Sequence, residues 1–221
     1  APVEMASWLD KVDAVLLGWL AGMEFGHAVT DILSGDVSPS GKLPLTIPRR
    51  YKDSPTYKNF PGELGTVNYG EGIYVGYRYY ESAGVAPLYE FGYGLTYGRF
   101  ELRNLRIDRQ TLTIGRNEVA TISAELANVG DHAAAEVVQL YVSGDSAEVR
   151  RPAKELRGFT KVYLTPASSQ TVSFTLNVES LAFFDSGSRA WRTPPGTYSI
   201  LIGFSSRQIQ TERTVSVVTG E

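Results

Sequence analysis

The sequence predicts two architectures in succession, an α/β segment over residues 1–98 and an all-β antiparallel sandwich over residues 99–221. Three observations support this division. A short apolar run near the N-terminus is followed by a glycine loop and a helical pattern, which is typical of one strand and one helix of an α/β sheet. Proline, glycine and tyrosine are frequent over residues 38–98. Beyond Phe100, apolar and polar residues alternate strictly, as in half-buried strands.

The N-terminal part is interpreted as a single βα unit of an α/β sheet. Residues 12–19 are almost all apolar and are predicted to form a strand buried on both faces. Residues 22–26 form a glycine-containing loop, and residues 28–33 have the apolar spacing of a helix that ends at Gly35.

Residues 38–98 are predicted to be an irregular, loop-rich segment, and so long a stretch usually carries function or wraps a partner surface. Prolines are spread through this segment, and ten of the 13 tyrosines lie between Tyr51 and Tyr97. The favoured interpretation is that these rings supply apolar packing where regular structure is sparse. The alternative is a wall of rings that faces a carbohydrate.

The C-terminal part is predicted to contain about seven strands. Apolar residues alternate with polar ones over residues 120–126, 138–142 and 172–178, and further strands follow around residues 198–202 and 215–217. This number and spacing suit an immunoglobulin-like or fibronectin type III-like sandwich. The absence of cysteine favours the fibronectin type III-like variant, since no disulfide can join the sheets. Phe159 and Trp191 are the expected core aromatics.

Composition excludes several classes of function. The formal net charge is −3, which does not favour a nucleic acid partner. No apolar run of eighteen residues is present, so no membrane partner is expected. The N-terminus also lacks the layout of a signal peptide. No Asn-x-Ser/Thr acceptor for N-glycosylation occurs.

Residues that could carry chemistry are few. The two histidines, His27 and His132, have no Gly-x-Ser-x-Gly or HExxH context, so neither a nucleophilic triad nor a metal site is expected. We also expect no cofactor. His27 is expected to form a local hydrogen bond at the start of the helix. Glu24, between two glycines in the loop, either stabilises the helix N-terminus by its charge or faces a substrate.

Several stretches together resemble the C-terminal portion of glycoside hydrolase family 3, the β-glucosidase family. They match in order and spacing along nearly the whole chain. In the first part they are WLAGMEFGHA (19–28), TDILSG (30–35), DVSPSGKLPLT (36–46), YGEGIYVGYRYY (69–80) and PLYEFGYGLTY (87–97). In the sandwich they are VVQLYV (137–142) and RPAKELRGF (151–159). Residues 1–5 also resemble the stretch that opens the final βα unit.

The resemblance implies a larger enzyme with a barrel domain, an α/β sandwich domain and a fibronectin type III-like domain. Residues 1–98 would be the C-terminal part of the α/β sandwich domain, with its last βα unit and a loop-rich wrap, and residues 99–221 would be the fibronectin type III-like domain. The tyrosine-rich segment 51–97 would wrap the α/β domain and lead into the fibronectin type III-like domain. Its nucleophilic aspartate and acid/base glutamate would lie upstream, so no catalytic residue is assigned to this chain, which alone is expected to be inactive. Substrate-binding candidates are Glu24, Tyr57 and Tyr69, with Phe60 beside them. The expected partners are the upstream barrel and α/β part and a carbohydrate substrate.

The specificity remains open at this point. Terminal β-D-glucosyl residues are the expected substrate, with β-xylosides or another specificity of the family as the alternative. A non-catalytic module that binds carbohydrate or protein is a further alternative. A secreted or periplasmic location is slightly favoured over a cytoplasmic one.

Overall fold

The fold is taken from a computed structural model that describes residues 3–144 and 149–220. The first two residues of the stretch 1–5 therefore lie outside the described part. Within it are two α-helices, α1 (Phe25–Ser34) and α2 (Tyr77–Ser82), and ten strands. The strands are β1 (Phe100–Ile107), β2 (Thr111–Thr113), β3 (Val119–Asn128), β4 (Ala134–Gly144), β5 (Glu155–Leu164), β6 (Ser169–Asn177), β7 (Phe183–Asp185), β8 (Ala190–Arg192), β9 (Gly196–Gly203) and β10 (Ile209–Val218).

The strands form the predicted sandwich. One sheet has the order β1-β3-β6 and the other β2-β10-β9-β4-β5, while β7 and β8 make a separate hairpin. All pairings are antiparallel except that of β10 with β2. The predicted fold class, an α/β segment followed by an all-β sandwich, is confirmed.

The core lies between the two sheets, where the predicted alternation places it. Ala120, Ile122, Ala124 and Leu126 of β3 are fully buried. Along β4, however, Gln139 and Tyr141 are buried as well as their apolar neighbours. This strand is covered on its second face by the segment that precedes the sandwich, since the ring of Tyr77 packs edge-on against Tyr141 with centroids 5.9 Å apart.

The prediction that Phe159 and Trp191 lie in the core is wrong. Phe159 is 70% exposed and Trp191 is 72% exposed. In β5, Val162 and Leu164 point into the core, so that Phe159, an odd number of residues away from both, points outward. Trp191 lies on the β7–β8 hairpin, which is a separate two-stranded sheet outside the two layers.

The predicted helix is confirmed, with its first turn extended. Helix α1 begins at Phe25 and ends at Ser34. Gly35 adopts the left-handed conformation (φ 86°), and its N–H donates to the carbonyl oxygen of Ile32 at 3.2 Å. This is the usual glycine stop signal of a helix.

The strand predicted over residues 12–19 is wrong. These residues form no strand, and the large apolar side chains among them are exposed. A strand requires neighbouring backbone to accept and donate its hydrogen bonds, and no described residue of this chain pairs with the segment. We call residues 12–24 the apolar arm.

Residues 38–98, which we call the wrap, are loop-rich as predicted, with α2 as their one α-helix among the described residues. Two stretches of the wrap run side by side, because Leu43 pairs with Tyr93 and Ile47 with Tyr89 through backbone hydrogen bonds of 2.8 Å. Neither helix in the described ranges is long and apolar enough to cross a membrane.

Candidate functional site

The candidate site is an apolar groove between the arm and α1. The arm turns back at Trp19, whose φ is 50°, and Phe25 then packs over Gly18. A Cβ at Gly18 would lie 2.4 Å from Cε2 of Phe25, so a larger residue there would displace the Phe25 ring from this contact. The groove has a volume of about 530 Å³ and is lined by Leu16, Leu17, Gly18, Ala21, Gly22, Met23, Glu24, Phe25, Ala28, Val29 and Ile32.

Glu24 is the one ionisable residue that lines this groove. It occupies the N-cap position of α1, but its side chain makes no hydrogen bond to the helix backbone. Its Oε2 instead lies 2.6 Å from Nδ1 of His27, and both side chains are at least 80% exposed. The expected local hydrogen bond of His27 is therefore confirmed. The carboxylate also lies close to the positive end of the helix dipole.

Most of the apolar surface around Glu24 is uncovered. Leu20 and Met23 are fully exposed, and Trp19 and Phe25 are about half exposed. Isolated exposed apolar residues are normal in soluble proteins, but a contiguous apolar groove usually marks an interaction site. The chemistry of this groove suits an apolar protein surface, with a carboxylate and an imidazole at one end.

Tyr57 and Tyr69 lie in the wrap, in the segment between its two paired stretches. Tyr57 is half exposed, and its ring packs edge-on against Tyr51 with centroids 5.2 Å apart. Tyr69 is 82% exposed and Phe60 is 65% exposed. Within residues 3–144 and 149–220, no hydrogen bond, ion pair or ring contact joins Glu24 to either tyrosine. The structure therefore does not bring the three candidates together by direct contact.

The exposed rings of the wrap are held by a local framework. The Nδ2 of Asn59 donates to Oε2 of Glu71 at 2.7 Å, which joins the two sides of this loop. The backbone N–H of Tyr51 donates to Oε2 of Glu4 at 2.8 Å, which ties the start of the loop to the N-terminal segment. Glu4 thus has a structural contact in this chain.

The polar junction between the wrap and the sandwich was not predicted. Glu81 of α2 accepts from Nε of Arg207 at 2.8 Å and lies 3.5 Å from Nζ of Lys154. Glu90 accepts from the hydroxyl of Ser205 at 2.7 Å. The charged residues of YRYYES and RPAKEL were visible in the sequence, but their pairing depends on contacts between distant parts of the chain. In the described part of the chain, no group of three His, Cys, Asp or Glu side chains could hold a metal ion.

Comparisons with known proteins match both parts of the chain. The family model described as glycosyl hydrolase family 3 C-terminal domain matches residues 1–97. The model described as fibronectin type III-like domain matches residues 136–206.

Relatives of known name align over almost all of this chain. It is 44% identical over 217 residues to thermostable beta-glucosidase B of Acetivibrio thermocellus, covering 98% of this chain and 28% of the relative. It is 41% identical over 215 residues to an exo-alpha-(1->6)-L-arabinopyranosidase of Bifidobacterium breve, covering 97% of this chain and 28% of that relative. The chain therefore spans little more than a quarter of the length of these relatives.

Solved structures give the same result. The structure of beta-glucosidase 3B from Thermotoga neapolitana in complex with alpha-D-glucose superposes with a TM-score of 0.89 and 41% identity, covering 98% of this chain and 30% of that chain. The beta-glucosidase from Kluyveromyces marxianus in complex with glucose gives a TM-score of 0.89 at 38% identity, with 98% of this chain and 26% of that chain covered.

Proposed function

This chain belongs to glycoside hydrolase family 3, as a C-terminal portion, and we propose that it completes a retaining, exo-acting β-glucosidase. The enzyme would remove terminal non-reducing β-D-glucosyl residues. The observation that carries this proposal is the alignment of 98% of the chain with beta-glucosidase B over 28% of that protein.

The uncovered apolar arm supports an assembly with an upstream part. An apolar segment whose backbone has no sheet partner is stabilised when neighbouring strands cover it. We propose that the arm joins the sheet of an upstream α/β part and that its groove packs against that part. We also propose that residues 1–98 form part of this α/β domain and that residues 99–221 form the fibronectin type III-like domain.

The proposed mechanism places the chemistry outside this chain. A retaining glycosidase uses two carboxyl groups about 5–5.5 Å apart, one as nucleophile and one as acid/base. In the proposal, an upstream aspartate and an upstream glutamate fill these roles. The contribution of this chain is to complete the cleft and to stabilise the assembly.

Three residues of this chain are proposed to contact the sugar. Glu24 offers an exposed carboxylate to sugar hydroxyls at the end of the groove. The exposed faces of Tyr57 and Tyr69 suit stacking on a pyranose in an outer subsite. The exposure of each side chain supports these roles.

A second specificity is favoured by one comparison, since a relative 41% identical is named an exo-alpha-(1->6)-L-arabinopyranosidase. The sugar unit that is released is therefore the part of the proposal that most needs an assay. Aryl β-D-glucoside, aryl β-D-xyloside and aryl α-L-arabinopyranoside should be compared as substrates of the whole enzyme.

The test compares the whole enzyme with this chain alone. We expect the whole enzyme to cleave aryl β-D-glucoside fastest and to release β-D-glucose first, as followed by NMR, and the chain alone to be inactive. Hydrolysis by the chain alone, or a first product of inverted configuration, would contradict the proposal. A higher kcat/KM on the arabinopyranoside would replace the glucosidase assignment by the second specificity.

The three sugar contacts are tested in the whole enzyme by Glu24→Gln, Tyr57→Ala and Tyr69→Ala. Loss of one such contact should raise KM by roughly three- to tenfold, and for the tyrosines the rise should be confined to longer glucosides. Tyr163→Ala, which removes an exposed ring from β5, is the matched control. Unchanged kinetics on longer glucosides would remove Tyr57 and Tyr69 from the proposal, and unchanged kinetics on all substrates would remove Glu24.

A further inference from the structure

The β7–β8 hairpin carries an exposed pair of aromatic side chains. Phe184 and Trp191 face each other across the two strands, with ring centroids 5.7 Å apart and planes 71° apart. Phe184 is 53% exposed and Trp191 is 72% exposed. The edge-to-face contact holds both rings while much of the indole surface stays open to solvent.

The hairpin is fixed by a carboxylate at its turn. Oδ1 of Asp185 accepts from the N–H of Gly187 at 3.0 Å, and Oδ2 accepts from the hydroxyl of Ser188 at 2.6 Å. Arg192 donates to the same Oδ2 from Nη1 at 3.3 Å. These bonds close the turn around one side chain, so the ring pair has a defined position before any ligand arrives.

Contacts at the base fix the hairpin to the sandwich. Before β7, Arg151 donates from Nη1 to the carbonyl oxygen of Leu181 at 2.7 Å. After β8, the hydroxyl of Thr193 donates to the carbonyl oxygen of Val178 at 2.8 Å, and that of Tyr198 donates to Pro194 at 2.8 Å. A rigid support of this kind reduces the conformational entropy that is lost on binding.

We propose that this hairpin binds a neutral β-linked glucan chain by stacking a pyranose on Trp191. The choice of ligand rests on the proposed function, because a glucan is the polymer from which a β-glucosidase substrate derives. In this role the hairpin keeps the enzyme close to polymeric substrate.

The chemistry of the hairpin matches a sugar. One face of a pyranose carries C–H groups that pack on an aromatic face, while its hydroxyls need donors and acceptors at the edge. Arg192 and Asp185 form an ion pair beside the rings. The charge of the carboxylate is therefore already balanced within the hairpin, which suits an uncharged ligand. Arg189 lies on the same turn and is exposed, and its guanidinium can donate hydrogen bonds to hydroxyls.

Affinity electrophoresis of the whole enzyme tests this inference, with hydroxyethyl cellulose in the native gel as a soluble neutral β-glucan. We expect the polymer to slow the migration of the enzyme. Trp191→Ala and Trp191→Leu should each weaken binding roughly tenfold, because aromatic side chains that become buried on binding contribute much of the affinity. Tyr163→Ala is the control and should migrate like the unmodified enzyme. Hydrolysis of a small aryl β-D-glucoside should stay unchanged in all variants.

The remaining outcomes separate the alternatives. Equal retardation of Trp191→Ala, or no retardation of the unmodified enzyme, would overturn the inference. If Trp191→Ala lowers Tm while Trp191→Leu restores both Tm and retardation, the ring packs against protein and the inference is likewise wrong. An enzyme without glucosidase activity that still shows Trp191-dependent retardation would refute the proposed function and support the binding surface.

Discussion

The apolar arm and the wrap are similar in sequence character, but the rest of the chain buries parts of the wrap and leaves the arm uncovered. Both are rich in large apolar or aromatic residues and both lack sheet hydrogen bonding over most of their length. In the arm, Leu20 and Met23 are fully exposed. In the wrap, Ile47 and Tyr80 are almost completely buried.

The difference lies in where the covering partner is found. The wrap packs against β4, β5 and the loop between β9 and β10, all of which belong to this chain. The arm has no such partner among the described residues. The hydrophobicity of a residue therefore indicates that its burial is favourable, whereas the rest of the fold determines whether the residue is buried.

The largest expected effect comes from the buried ion pair that joins the wrap to the sandwich. Nζ of Lys42 lies 2.7 Å from Oε1 of Glu136, with side-chain exposures of 12% and 6%, and it also donates to the carbonyl oxygen of Gly94. Lys42→Met leaves the Glu136 carboxylate buried without its cation. We expect the free energy of unfolding in urea to fall by about 3–5 kcal/mol.

Two further variants test whether this loss comes from the unpaired buried charge. Lys161→Met removes an exposed lysine of β5 and should change the free energy of unfolding by less than about 0.5 kcal/mol. Lys42→Met combined with Glu136→Gln leaves no unpaired charge and should recover part of the loss. A small effect of Lys42→Met would mean that the wrap is not held to the sandwich by this pair.

The next effect concerns the closest approach of the wrap to β4. Gly92 has φ 82°, and a Cβ there would lie 2.6 Å from Nε2 of Gln139, whose amide is fixed by bonds to Phe204 and Tyr141. Gly115 has nearly the same φ, 83°, but open space around it. We expect chemical denaturation to show a loss of about 3 kcal/mol for Gly92→Ala and about 1 kcal/mol for Gly115→Ala. Equal losses would show that only the backbone conformation matters.

A smaller effect is expected at alkaline pH from Tyr80 of α2. Burial, with the neighbouring Tyr79 and Asp53, raises the pKa of Tyr80 from 10.0 to about 12. Because the folded protein holds this proton more tightly than the unfolded chain, the stabilisation is complete below pH 10 and is lost as the pH rises through about 12. The free energy of unfolding should fall by about 2 kcal/mol over this range, and Tyr80→Phe should remove that component. An identical alkaline profile for Tyr80→Phe would contradict the assignment.

The smallest effect is expected in the arm. Leu20 is fully exposed, so Leu20→Ser should change the free energy of unfolding of this chain by less than about 0.5 kcal/mol. Leu140→Ala in the buried centre of β4 is the control and should cost about 2–5 kcal/mol. A loss of more than 1 kcal/mol for Leu20→Ser would mean that the arm packs within the chain.

Local patterns in the sequence predicted the elements whose partners are also local or repetitive. The glycine stop of α1 at Gly35 depends on a few adjacent residues, and the alternation over residues 120–126 identifies the inward face of β3 directly. The strand prediction for residues 12–19 was wrong because a strand needs neighbouring strands for its backbone hydrogen bonds. The prediction that Phe159 and Trp191 lie in the core was wrong because hydrophobicity alone does not indicate which face of a strand packs against a second sheet.

The candidate site was predicted only in part. The position of Glu24 at the start of a helix and the local bond of His27 follow from the spacing of residues 22–35. The groove beside them depends on the reversal of the arm at Trp19 and on the contact between Phe25 and Gly18. The pattern of polar and apolar residues in the sequence does not indicate such a chain reversal.

The paired stretches of the wrap have a consequence for insertions and deletions. Because Ile47 and Tyr89 are joined by backbone hydrogen bonds at the base of the segment between them, its two ends stay together whatever its length. The entropy of closing such a loop grows only slowly with the number of residues. Residues 48–88 should therefore tolerate added or lost residues at the exposed turn around Leu64 while the sandwich keeps its position.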